Sequence, residues 1–368
     1  MAVTAAEPTS APAGERIIDL DVTRAIALIG VCVMNYHGYL LLRGAHPGSG
    51  LWTRVFDPVT GPLTSRFAAV FVTVAGMGVS LMTRRSTAGD DHAAISRDRR
   101  TLVRRGVLLF SFGFFLDWIW PGTILFFYGA YFLVGALVFT LPSRWIVAVG
   151  TSAALGAGGI QWWVVDRTTG GHATNWLTSG DAEAHHSPRD LVLDTFVRGT
   201  HPLLPWLLFF CLGIVLGRRL PFDGRFRRRL AAAGGGCAVV GYVLHGVLSW
   251  HPTLRSTGPF DHGLLYALTT IGVTLVAVSL VGWLAERTSR TAITQALAIT
   301  GRTTLTLYVL HVLVFDLLVD RLNWVRPGGL ATPLCFAVAF WLIAILFANG
   351  WNRWHRQGPL EWMYRAFS

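Results

Sequence analysis

The chain has 368 residues, 52% of them hydrophobic and only 14% charged, with a mean hydropathy of +0.49. A soluble domain carries about a quarter charged residues, so the composition excludes an ordinary cytosolic enzyme, a disordered chain and a disulfide scaffold. It leaves a multispanning α-helical membrane protein. The net charge of +11 arises from 31 arginines, with no lysine. They lie between apolar blocks, where they orient loops across a bilayer, and so do not indicate a nucleic-acid partner.

The expected fold is all-α, a polytopic bundle of about ten transmembrane helices. Residues 1–15, rich in Ala, Pro, Thr and Glu, read as a disordered cytoplasmic tail, and 16–368 as one membrane domain. Ten blocks have roughly the length that crosses a hydrocarbon core of ~30 Å. They run near 22–42, 66–83, 105–119, 123–141, 145–165, 203–217, 231–250, 263–284, 303–320 and 331–350. A stretch at 291–302 leads into the ninth and is a candidate for one continuous helix with it. The four cysteines (Cys32, Cys211, Cys237, Cys335) lie inside apolar blocks and read as packing residues.

Arginine counts set the expected orientation. The 84–105 segment holds seven and 218–229 holds six. The positive-inside rule puts both in the cytoplasm and, with ten spans, both termini as well. The inner side of a plasma membrane then takes 22 arginines against 9 outside. Trp52, Trp118, Trp120, Trp162, Trp163, Trp250 and Trp324 fall near the outer span ends, as an interfacial aromatic belt does. The 166–202 segment is long enough for a lid or acceptor-binding loop. Its Asp181, His185 and His186 lack the His-x3-His spacing that puts two imidazoles on one helical face, so no metal is expected.

The informative residues are polar ones inside apolar blocks, because they cost free energy unless they face a partner or a cavity. Asp21 and Arg24 are three apart and share a helix face. Asn35 returns to that face three turns later, about 16 Å along, which makes a stripe of Asp21, Arg24, Leu28, Val31 and Asn35. An anchoring ion pair and a helix–helix hydrogen bond would explain the same residues. Thr304, Tyr308 and His311 share a face of the ninth block, with His311 well inside the membrane. It is either functional or a neutral histidine bonded to a neighbouring helix. His46, just past the first block, and His37 and His201 are histidines near the outer surface that are also compatible with simple solvation or packing.

These segments resemble the heparan-α-glucosaminide N-acetyltransferase superfamily of membrane acyltransferases, and within it the bacterial YeiB-like branch. The resemblance rests on Leu20-Asp21-x-x-Arg24 followed by Asn35-Tyr36, on Gly301, Tyr308 and His311 in a Gly-x6-Tyr-x2-His spacing, and on Gly358-Pro359-Leu360-Glu361-Trp362. Arg104-Arg105-Gly106, Gly113 and Tyr128-Gly129 also fit. Ala25 stands where the family has Gly after the Arg, and Thr123 where the branch has Asp. His46, eleven residues after Asn35, stands where the eukaryotic enzymes place their catalytic histidine.

The resemblance implies acyl transfer from acetyl-CoA or another acyl-CoA, with no metal, to an amine or hydroxyl on a glycan, sugar or small molecule. That chemistry needs a base, oxyanion donors and two substrates held together. It assigns His46 as base or acyl-accepting nucleophile, and Asn35, Tyr308 and His311 as groups that orient the thioester or stabilise the oxyanion. Asp21, Arg24, Arg104, Arg105 and Arg302 are the expected coenzyme A contacts, since arginine pairs well with phosphate. His37 and His201 are placed on the acceptor side. His46 and His311 are expected to converge on one cavity with Asn35. Besides the bilayer, a homodimer is left open as a partner. The runner-up class is a small-molecule or lipid transporter, which predicts related halves; no internal repeat is visible.

Overall fold

Long apolar runs make the described residues of this chain helical almost throughout. The computed structural model describes residues 17–46, 48–89, 91–178, 187–247 and 256–367, and among them every regular element is a helix. The proposed tail at 1–15, Asp181, His185, His186 and Trp250 lie outside the described residues. In chain order the helices are α1 (Ile18–Leu41), α2 (Leu51–Val55), α3 (Arg66–Ala88), α4 (His92–Asp117), α5 (Ile124–Val138), α6 (Ser143–Thr169), α7 (Asn175–Thr178) and α8 (Pro188–Leu193). They continue with α9 (Leu203–Gly217), α10 (Gly224–Val247), α11 (Leu264–Arg287), α12 (Ala292–Thr300), α13 (Thr304–Phe315), α14 (Ala331–Trp351) and α15 (Pro359–Phe367). Wider π turns extend α8 over Asp194–Arg198 and α13 over Asp316–Arg321.

By length and composition, four helices suffice to cross a bilayer: α3, α10, α11 and α14. Counting two bent pairs as single spans gives six. This is fewer than the ten apolar blocks of the sequence. Arginines fill the first half of α4, α5 has only 15 residues, and Gly, Ser and Thr dilute α6. The chain is nonetheless a membrane protein in composition and architecture. The arginine-rich 84–105 segment is not a loop either: α3 runs on to Ala88, and Asp91 caps α4 by accepting from the amides of Ala93 and Ala94.

The expected continuity of 291–302 with the ninth block is overturned. α12 and α13 meet at a 79° bend. A Cβ on Gly301 would stand 1.9 Å from the carbonyl oxygen of Asp21, so only glycine lets the break seat against α1. The side chains of Thr300 and Thr303 also bond back to nearby carbonyls, which competes with helix continuation.

Packing puts α1 at the centre, touching α3, α11, α12, α13 and α14, while α4 pairs with α5, α10 with α11, and α9 with both α3 and α6. A Cβ on Gly113 or Gly129 would come within 2.3 Å of the facing backbone, so these glycines let α4 and α5 lie side by side. Trp52, Trp118, Trp162 and Trp324 are exposed, consistent with a belt. Trp120 departs from it: it is buried and stacks on Tyr39 with ring centroids 3.6 Å apart. Near the arginine-rich end, buried Arg227 of α10 reaches Asp19 of α1 at 3.4 Å and Glu286 of α11 at 2.5 Å.

Candidate functional site

Two cavities enter the bundle from opposite ends of α1, and the polar stripe joins them. The first, about 890 Å³, is lined by Asp21 and Arg24 of α1. The second, about 450 Å³, is lined by Val31 and Asn35. Leu28, between them on the same face, is fully buried. Tyr308 of α13 lines both cavities. Both volumes lie in the ~300–1,000 Å³ range of ligand sites.

The first cavity is strongly basic. Arg24, Arg105, Arg302, Arg356 and Arg365 line it against two carboxylates, Asp21 and Glu361. Asp21 bridges Arg24 (3.5 Å) and Arg302 (3.3 Å), so it positions the two guanidinium groups instead of facing a ligand itself. Each remains about a quarter exposed. Arg105 lies against Met82 and over the Tyr364 ring. Arg104, expected to join them, is exposed and is not among the described lining residues. One helical position separates it from Arg105, which turns it to another face.

The C-terminal Gly-Pro-Leu-Glu-Trp segment supplies a group whose role the sequence did not show. Glu361 accepts from the amides of Leu305 (2.5 Å) and Thr306 (3.2 Å) and from the Thr306 hydroxyl (2.6 Å). It therefore caps α13 from α15, satisfying amides that the helix break leaves open. Burial pushes its carboxyl up, against these hydrogen bonds, which hold it down. Glu361→Ala is expected to cost about 0.5–2 kcal/mol of stability, the usual value of a cap, read as a lower thermal midpoint in detergent. Glu361→Gln should recover part of it.

At the partition, the Tyr308 hydroxyl bonds the Thr123 hydroxyl at 2.9 Å and accepts from the Ile124 amide at 3.1 Å. Asp117 holds this turn by accepting from the amides of Gly122 (2.7 Å) and Thr123 (3.2 Å). Thr123, noted in the sequence only as a departure from the branch pattern, is thus a partner of Tyr308. One turn beyond Tyr308, buried His311 lies 3.2 Å from Asn35, Nε2 to Nδ2. The Tyr308 carbonyl accepts from His311 Nδ1, so the proton sits on Nδ1 and Nε2 offers its lone pair to the Asn35 amide. Tyr36 donates to the His311 carbonyl at 3.0 Å, and the Trp120 ring meets the imidazole in a T-shaped contact. Asn35, Tyr308 and His311 are therefore brought together, but His311 lies behind Asn35 and is not among the residues that line either cavity, contrary to the expected convergence on one cavity.

His46 is not brought to them. It is exposed on the loop after α1 and is not among the residues that line either cavity. Gly44, at φ +89°, turns the chain, and Arg43 is fixed to Asp320 with Nη2 2.6 Å from Oδ2. The His46 carbonyl lies toward Gly329. His37 is buried and donates from Nδ1 to the Phe56 carbonyl at 2.7 Å, which ties α1 to the end of α2. His201 does line the second cavity, bonded to Thr200 at 2.9 Å. Among the described residues no group of three His, Cys, Asp or Glu is set to hold a metal.

Residues 16–246 match the family model described as heparan-alpha-glucosaminide N-acetyltransferase, catalytic. Residues 218–368 match one described as a protein of unknown function (DUF418). The chain is also 25% identical, over 96% of each chain, to the uncharacterized protein YeiB of Escherichia coli (strain K12). The first match takes in α1 with its Asp21–Asn35 stripe and extends over well more than half of the sequence, and so the protein belongs to the heparan-α-glucosaminide N-acetyltransferase catalytic family, in its YeiB-like branch.

Proposed function

We propose that the protein transfers an acyl group, most simply acetyl, from an acyl-CoA held in the basic cavity to an amine or hydroxyl acceptor in the second cavity. The observation that carries this reading is that Tyr308 lines both cavities, with Asn35 and His311 beside it. Five arginines against two carboxylates suit a phosphate-rich donor. The donor's acyl end points along the α1 stripe toward the partition. There the Tyr308 hydroxyl, which accepts from Ile124 and shares a hydrogen bond with Thr123, can give its proton to a developing oxyanion when Thr123 donates in that pair. Once the Asn35 amide turns away from it, His311 Nε2 takes the acceptor's proton as the new C–N or C–O bond forms and the C–S bond breaks, and returns it to the departing sulfur. His46, four residues beyond the cavity-lining Leu42, receives the acceptor at the mouth.

Isothermal calorimetry in detergent tests the donor half. Acetyl-CoA should bind wild type, and Arg24→Ala or Arg302→Ala should weaken binding about 10- to 100-fold, the worth of a charge-assisted contact. Unchanged affinity in both variants sinks the phosphate assignment.

In this reading ten segments cross or enter a plasma membrane, with the arginine-rich end and both termini cytoplasmic. The chain's arginine asymmetry supports that orientation. A cysteine introduced within 218–223 should react with an impermeant maleimide only after the cells are opened; labelling of intact cells reverses the topology. Transport is the second reading, because two chambers meeting at a closed partition also describe a carrier. Labelled acetyl recovered covalently on an acceptor, with no intact compound crossing the bilayer, separates the two.

A further inference from the structure

The second cavity differs from the first in having no charge. Its described lining contains no Asp, Glu, Lys or Arg. Its polar side chains include Asn35, Tyr308, Thr200 and His201, and most of the rest of the wall is aliphatic, aromatic, Pro or Gly. Burial arranges these groups by depth. Tyr308 and Trp120 are almost fully enclosed, 1% and 2% exposed, and form the floor. Leu42, Val59 and Phe260, at 80%, 54% and 55% exposed, form the rim. An active-site mouth that opens to water is ordinarily rimmed by polar groups, and a large apolar residue left exposed there loses the benefit of burial. An apolar rim in a membrane protein is at home against lipid chains instead.

We infer that the acceptor is a membrane-resident alcohol, or an amine that enters as its uncharged free base. Its hydrocarbon part crosses the Leu42–Val59–Phe260 rim, and its reactive group reaches Asn35 and Tyr308, with His311 behind Asn35. The inference rests on the acyl-transfer reading and specifies its acceptor. A charged acceptor such as a sulfated or carboxylated glycan has no counter-ion in this wall, and a buried unpaired charge is strongly disfavoured. A hydrocarbon tail gains with each buried methylene. Thr64, Ser65 and Thr200 also line the cavity but are bonded to the Asp57 carbonyl, the Tyr266 hydroxyl and the Gly122 carbonyl, which leaves few polar groups for a ligand and suits one hydroxyl or amine.

The test uses the full-length protein in lipid nanodiscs with radiolabelled acetyl-CoA and three acceptors: glucosamine, glucosamine 6-sulfate and hexyl glucosaminide. The expected result is at least a tenfold higher kcat/KM for hexyl glucosaminide than for glucosamine, with the sulfate poorest. Leu42→Gln and Phe260→Gln should shrink that preference, with acetyl-CoA affinity as the control for folding. Equal or better use of the sulfated sugar overturns the inference while leaving acyl transfer standing. If no compound is acetylated, the transfer reading fails, and calorimetric binding of hexyl glucoside, corrected for empty nanodiscs, decides the inference alone. Saturable binding weakened by Leu42→Gln upholds an apolar-tailed ligand, and its absence rejects it.

Discussion

His311→Ala is expected to lower kcat for acetyl transfer by about 10²- to 10⁴-fold, the range for loss of a positioned general base, while leaving acetyl-CoA affinity unchanged. Donor binding is insulated because His311 lines neither cavity and lies behind Asn35, whereas Tyr308, one turn earlier, lines both. His46→Ala should behave differently. An exposed residue at the mouth that contacts the acceptor raises KM for it with a smaller change in kcat. The pair of measurements separates two mechanisms. Should His46→Ala abolish turnover and His311→Ala leave it intact, the base is His46, and the 43–50 loop must fold into the mouth during catalysis. Asn35→Ala gives a third reading. The amide of Asn35 meets His311 Nε2 at 3.2 Å, so its loss frees the lone pair but also unfixes the ring, and turnover should fall less than in His311→Ala.

The second large effect concerns stability. Arg227→Ala is expected to destabilise the protein by about 3–5 kcal/mol, because it strands a buried carboxylate without its partner. Asp19 and Arg227 are both almost fully enclosed, whereas Glu286, the other partner, is half exposed and can turn to water. The double variant Asp19→Ala/Arg227→Ala should recover most of the loss, since removing both charges leaves no orphan. Chemical denaturation in detergent, followed by a probe of helix content, measures both. A double variant as unstable as the single one would show that Arg227 acts mainly through packing.

Parts of this arrangement were legible in the sequence because they repeat at helical intervals. Asp21 and Arg24, three apart, do pair, and Asn35 does extend the same stripe to the second cavity. The spacing of Tyr308 and His311 puts them on one face of a helix, and they lie side by side there. Contacts between distant segments were not legible. Nothing in Gly-Pro-Leu-Glu-Trp announces that its carboxylate caps a helix more than fifty residues earlier, and nothing local to Arg227 names Asp19. Trp120 reads as interfacial by position, yet Tyr39 and Phe315 enclose it. The break at Gly301 was hidden because hydropathy runs smoothly through it, whereas the bend is set by a backbone approach from α1. His46 shows the opposite failure. Its interval from Asn35 is that of the family, but the helix ends at Leu41, and a helical interval carries no spatial meaning once the helix has stopped.

The cap on α13 also bears on how the protein is made. Leu305 and Thr306 emerge from the ribosome well before Glu361, and until that carboxylate arrives their amides at the helix break have only water or lipid headgroups as partners. The same late segment brings Tyr364 and Arg365 to the wall of the basic cavity. A chain that stops short of this segment can thus fold most of its helices and still lack part of the wall of the basic cavity. Closure of that cavity therefore waits on a segment made after every helix it seals against, so the order of synthesis keeps the arginine-lined chamber open until the bundle around it is in place.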